Sequence, residues 1–126
     1  MISFAKLSIV AICLPLILAS RPLTSLKISI FSITGETSYH TLTCNPLGGT
    51  HPNSIGACAK LDLVNGVLDP SGTAAMCSNV EIPVTVSITG TYQGKPLTFR
   101  EDYFNDCIAR TSLGALYPIA FPLDAA

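Results

Sequence analysis

Four cysteines downstream of residue 20 constrain this chain more than any other feature. There are five in all, but Cys13 lies in an opening block of different character. That block carries Lys6, then an almost unbroken apolar run from Leu7 to Leu18, interrupted by Ser8 and Pro15, and reaches Ala19-Ser20 before Arg21-Pro22. A basic start, about a dozen apolar residues and small residues at the end is the layout of a secretory signal. A membrane-spanning helix needs roughly 20 apolar residues, more than this run supplies. The sequence therefore predicts a signal peptide at residues 1–20, cut after Ala19 or Ser20, and one domain over residues 21–126 that is secreted.

The four remaining cysteines are Cys44, Cys58, Cys77 and Cys107. An even number in a short secreted chain reads as two disulfides, with three pairings open. A domain of this size buries only about two-thirds of its unfolded surface, so covalent closure adds a useful margin. Pairing in sequence order would contribute on the order of 3 kcal/mol per bridge in the chain-entropy model. Spacing alone does not choose among the pairings. Zinc binding is not expected, because no C-x-x-C pair exists and His40 and His51 are the sole histidines.

Charge excludes several partners. Without Lys6 the chain has six basic residues against eight acidic ones, with no basic run or stripe, so nucleic acid is not expected. Catalytic signatures are missing as well. There is no G-x-S-x-G, no H-E-x-x-H and no glycine-rich loop between strand and helix to hold a cofactor phosphate. The cysteines are committed, Glu36, Glu81 and Glu101 are scattered, and His51 sits beside Pro52 as a loop residue bonding nearby backbone. An enzyme is not expected, and neither a cofactor nor a metal is implied.

Most of residues 21–126 read as short strands. Leu26 to Ile30 and Tyr39 to Thr43 alternate apolar and polar residues. Ile82 to Tyr92 places Val84, Val86 and Ile88 on one face, and Gln93-Gly94 turns the chain into Pro96 to Tyr103 as a hairpin. The closing "LYPIAFPL" is apolar enough for a last strand. Only Asn53 to Gly66 departs from this rhythm: Ile55, Cys58, Leu61 and Val64 recur every three residues, with Asn53 or Ser54 to cap the start and Gly66 to end it. The expected fold class is α+β: a five-stranded antiparallel sheet with one or two helices packed on one face, and two disulfides.

At this point the residues support a resemblance. "LTCNPLGGTHPNSIGACAKL" (Leu42 to Leu61) resembles the C-x-P-x₂-G-T-H-P…A-C-A-x-L segment of the Streptomyces-type subtilisin inhibitors. "MC…V…P", "YQGK" and "FNDC" follow in the same order and at matching spacing, so the likeness runs over nearly the whole chain beyond the signal. It implies a five-stranded antiparallel sheet with two helices, pairing of Cys44 with Cys58 and of Cys77 with Cys107, and a homodimer. It also implies a secreted inhibitor whose partner is a subtilisin-like serine protease, with neither nucleic acid nor membrane as partner.

The resemblance gives "MCSNVEIP" (Met76 to Pro83) a meaning. In the family this segment is offered to the protease, which places Asn79 before the reactive bond (P1) and Val80 after it (P1′). Met76, Cys77 and Ser78 become P4, P3 and P2; Glu81, Ile82 and Pro83 become P2′, P3′ and P4′. A loop already held extended loses little entropy on binding. Asn105 has two readings, support of this loop through its side-chain amide or a plain turn role. Two residues depart from the family, whose members typically carry Met or Lys at P1 and Pro at P2. Asn79 fills a large apolar pocket poorly, at about 1–3 kcal/mol, and Ser78 lacks the φ restraint of proline. Two alternatives follow from these departures: a secreted binding module that inhibits nothing, or an inhibitor of an asparagine-preferring protease.

Overall fold

The computed structural model describes residues 22–72 and 77–118. The expected signal at 1–20 lies outside the described residues. Four strands form one antiparallel sheet: β1 (Thr24–Ser32), β2 (Thr37–Cys44), β3 (Val84–Tyr92) and β4 (Lys95–Tyr103), in the order β2-β1-β3-β4. Two helices, α1 (Ser54–Leu63) and α2 (Asp106–Leu113), and a 3₁₀ turn (Gly114–Leu116) are the other elements among the described residues.

Alternation decides the faces. Leu26, Ile28 and Ile30 of β1 pair across the sheet with Gly90, Ile88 and Val86 of β3, and all but Gly90 are buried. Burial of each such side chain is worth about 1.5–3 kcal/mol. The opposite face keeps Lys27, Phe31, Tyr39, Thr41, Thr89 and Arg100 exposed. This is an antiparallel sheet with one packed and one wet side. Gly90 is required where it stands, because a Cβ there would come within 2.1 Å of the Ser25 carbonyl oxygen on the neighbouring strand. The β3–β4 connection is a two-residue turn with Gln93 at φ 49° and Gly94 at φ 81°, the left-handed pair that matches hairpin twist.

Helix α1 packs on β2 and on the 3₁₀ turn, and α2 on β3 and β4. Asn53 caps α1, its side-chain oxygen accepting from the Gly56 N–H at 3.0 Å. The Gly66 N–H closes the other end on the Leu61 carbonyl at 2.9 Å. The buried residues of α1 are Ala57, Cys58 and Leu61. Ile55, expected on that face, is 70% exposed.

Among the described residues the sheet has four strands rather than five. The expected last strand begins at Leu116, but the chain there is a 3₁₀ turn: Gly114 takes φ 58° and the Tyr117 N–H returns to the Gly114 carbonyl. Leu116 is spent on packing, fully buried beside α1, and Pro118 has no N–H for a ladder. The remainder of "LYPIAFPL", from residue 119, lies outside the described residues. Ile82 and Pro83 also fall short of β3, which starts at Val84. Helix α2, for its part, had no sequence signal assigned to it.

His51 is a joint between layers. It is 6% exposed; Nδ1 accepts from the Asn53 N–H at 2.9 Å, and Nε2 donates to the Leu116 carbonyl at 2.8 Å. Both nitrogens are therefore used by the neutral ring. Burial first, then repulsion from His40, hold its pKa below the ordinary 6.5 despite the Leu116 contact. The unfolded chain thus takes up this proton more readily than the folded one. The stabilisation is complete above pH 6.5 and is lost as pH falls from there toward the lower folded value. Unfolding free energies from urea titrations between pH 7.5 and 5 should fall by up to about 1.4 kcal/mol per pH unit from this group. His51→Gln should flatten that slope; an unchanged slope would assign it to another group.

Candidate functional site

Residues 77–83 run from the second disulfide to the start of β3 along the end of the sheet. At one end Cys77 is bonded to Cys107, with Cα atoms 5.7 Å apart. The other bridge, Cys44–Cys58, fixes α1 to β2 and is remote from this segment. Cys107 is the second residue of α2, so the loop is tied to the first turn of that helix.

Asn105, the residue before α2, is 7% exposed and divides its carboxamide between two tasks. Oδ1 accepts from the Ile108 N–H at 3.0 Å, which caps the helix. Nδ2 donates to the Ser78 carbonyl at 3.1 Å and to the Val80 carbonyl at 3.0 Å. Those carbonyls lie on either side of Asn79, so one buried amide holds the backbone before and after it. Two further ties follow. The Ile82 N–H donates to the Phe104 carbonyl at 3.1 Å, and the Ile33 N–H, from the β1–β2 turn, donates to the Pro83 carbonyl at 3.0 Å.

The side chains face the other way. Ser78, Asn79, Val80, Glu81 and Ile82 are exposed, Val80 at 53% and Ile82 at 42%; Cys77 and Pro83 are half-buried. Two β-branched apolar residues in open solvent on a backbone fixed from beneath is not how a flexible connection is built. Met76 lies outside the described residues. Of the residues singled out in the sequence, Cys77 to Pro83, Asn105 and Cys107 therefore come together.

Other members of the site carried no assignment in the sequence. Phe104 and Ile33 contribute backbone alone, which no side-chain pattern reports. Asp106 and Tyr117 form a hydrogen bond behind the first turn of α2, the hydroxyl donating to Oδ1. Arg110 Nε lies 3.7 Å from Asp106 Oδ2. The signal available was Asn105-Asp106, a cap followed by an acid, with Arg110 in the last turn and Gly114 beyond it.

This arrangement leaves a row of exposed side chains on a backbone held at both ends and from beneath. Among the described residues no group of three or more His, Cys, Asp or Glu is placed to hold a metal ion. No helix among them is long and apolar enough to cross a membrane.

The chain is similar to known proteins. A family model described as "Subtilisin inhibitor-like" matches residues 24–105. "Subtilisin inhibitor" of Streptomyces violaceus is 41% identical over 78 residues, covering 59% of this chain and 53% of that protein. "Subtilase-type protease inhibitor" of Streptomyces coelicolor is 37% identical over 82 residues, covering 61% and 56%. The chain thus spans only 53% and 56% of these two relatives. "Subtilisin inhibitor-like protein 3" of Streptomyces coelicolor is 37% identical, with 75% of its length covered. Among solved structures, Streptomyces caespitosus sermetstatin in complex with Bacillus licheniformis subtilisin matches with a TM-score of 0.57 at 23% identity, over 74% of this chain and 96% of that one. That match speaks for the fold.

Proposed function

The chain belongs to the subtilisin inhibitor-like family, and on that footing we propose that it is a secreted inhibitor of subtilisin-like serine proteases. It engages the enzyme through residues 76–83, with Asn79–Val80 as the reactive bond. The observation that carries this reading is the Asn105 carboxamide bonded to the carbonyls of Ser78 and Val80.

The mechanism follows from preorganisation. Fixing one backbone residue takes about 1–2 kcal/mol of conformational entropy, and here much of that ordering is completed on folding. Contacts with the protease then appear as affinity. When the enzyme's serine attacks the Asn79 carbonyl carbon, the new amine of Val80 is the leaving group. In an ordinary peptide that amine diffuses away. Here the Val80 carbonyl is held by Asn105, and Ile82 and Pro83 are held by Phe104 and Ile33. On the other side Cys77 is covalently fixed to Cys107. The amine stays beside the acyl-enzyme, so the bond re-forms faster than water can compete. The exposed side chains of Asn79 and Val80 are free to enter the enzyme's pockets.

Titration of subtilisin with the purified protein tests this reading. Residual activity should fall linearly to an equivalence point near one inhibitor per enzyme. Steady turnover of the protein, with full activity retained, would favour a module that binds without inhibiting.

The resemblance also implies a homodimer, and we propose the sheet face opposite the helices as its surface. Phe31 is 49% and Tyr39 76% exposed there, among Thr and Ser side chains. Sedimentation of the wild type should give the dimer mass, and Tyr39→Lys should shift it toward monomer without changing the titration endpoint per chain. A monomeric wild type at high concentration would contradict this assembly.

A further inference from the structure

Residues 105 to 107 hold the start of α2 to two different parts of the molecule. Asn105 reaches the loop carbonyls and Cys107 bonds to Cys77. Asp106, between them, turns away from the loop and toward the end of the described chain, where Tyr117 donates its hydroxyl to Oδ1. Tyr117 is 4% exposed and directly follows Leu116, which is fully buried and whose carbonyl accepts from His51. The first turn of α2 is thereby connected through one side-chain hydrogen bond to the residue that follows the 3₁₀ turn packed on α1.

A hydroxyl is costly to bury unless it is bonded, and a phenylalanine ring would pack in its place. What the tyrosine adds is its donation to Asp106. Burial, and then the bond to Asp106, push the phenol far above its usual range, so it remains a donor wherever the protein is folded. A hydrogen bond to a carboxylate is about twice as strong as one between neutral groups.

We infer that Tyr117 is a positioning residue for the reactive loop: its hydroxyl fixes Asp106, and with it the helical turn from which Asn105 and Cys107 hold residues 77–80. The inference rests on the inhibitory reading above. It differs from a general role in stability because it names the element that moves when the contact is lost. With the hydroxyl gone, Asp106 is held by Arg110 alone, through a 3.7 Å contact on its other oxygen. The first turn of α2 gains freedom, and the clamp on the Ser78 and Val80 carbonyls loosens with it.

Tyr117→Phe tests this well below its melting temperature. With catalytic subtilisin, the equilibrium ratio of cut to intact chain at Asn79–Val80 should rise about tenfold, the size expected for one charge-assisted hydrogen bond. The association rate should stay within about twofold, since the exposed side chains that meet the enzyme are unchanged. Hydrogen exchange at the Ile82 amide should accelerate. Asp106→Asn retains an oxygen for the hydroxyl but not the charge, and should fall between the wild type and Tyr117→Phe. Asp106→Ala should resemble Tyr117→Phe, and the double variant should be no worse than either. A Tyr117→Phe protein that melts earlier but keeps both its cut-to-intact ratio and its Ile82 exchange would overturn the inference. If the wild type does not inhibit subtilisin, the inhibitory reading falls, and Ile82 exchange in Tyr117→Phe alone decides whether the hydroxyl positions the loop.

Discussion

Replacing Asn105 by Asp is expected to turn the protein from an inhibitor into a substrate. The substitution separates the two tasks of one side chain. Aspartate caps helices as well as asparagine, so the bond from the Ile108 N–H to Oδ1 survives. The second oxygen replaces Nδ2, the donor to the Ser78 and Val80 carbonyls. Two hydrogen bonds disappear and a carboxylate oxygen is set against two carbonyl oxygens. Each neutral bond is worth about 0.5–1.5 kcal/mol, and with the added repulsion the intact loop should lose about 2–4 kcal/mol relative to the cut one. That corresponds to a cut-to-intact ratio raised about 100-fold. Incubation with subtilisin should give fast cleavage after Asn79 and recovery of activity, while urea unfolding remains cooperative. Asn105→Ala would add loss of the cap, about 1 kcal/mol, and so lower global stability further. Intact Asn105→Asp inhibitor after prolonged incubation would show that the loop is held by other means.

Asn79→Met should have the second-largest effect, in the opposite direction. Asn79 is exposed on the outer side of the loop, so replacing it leaves the frame beneath untouched. In an apolar specificity pocket its amide is desolvated without good partners, at about 1–3 kcal/mol. A methionine removes that penalty and adds apolar burial. The inhibition constant against subtilisin should fall about 10- to 100-fold, with most of the change in dissociation rate. A panel that includes an asparagine-preferring protease separates the alternatives. If Asn79→Met abolishes inhibition of that enzyme while improving binding to subtilisin, the loop is directed at the former. If subtilisin binding does not improve, Asn79 is not the residue that enters the pocket.

Those expectations depend on geometry that the sequence disclosed unevenly. Period-two alternation exposed β1 and β3 because each buries one face only, and the turn at Gln93-Gly94 was visible because a glycine sits where φ must be positive. Helix α1 was legible from its cap and its terminal glycine, although Ile55 faces solvent. "LYPIAFPL" misled because a buried 3₁₀ turn and a strand are both apolar, and composition does not tell packing on a helix from pairing in a sheet. Helix α2 went unassigned because its eight residues, "DCIARTSL", carry two charges and a cysteine, and the face it buries, Ala109, Ser112 and Leu113, is short and only partly apolar. The loop's residues and the Cys77–Cys107 pairing could be named from the family likeness, and loop support was one of two readings of Asn105, but the remaining ties could not be named. Phe104 and Ile33 act through backbone, and His51 and Tyr117 through partners far away in sequence.

Inhibition by this mechanism requires that the two sides of a broken Asn79–Val80 bond stay where they can rejoin. Protein cut at that bond can be prepared, freed of enzyme, and returned to catalytic subtilisin at neutral pH. Intact chain should reappear, and the ratio of intact to cut should converge on the same value from either starting material. Cut chain that never rejoins, or that is cleaved elsewhere and degraded, would contradict the proposed mechanism.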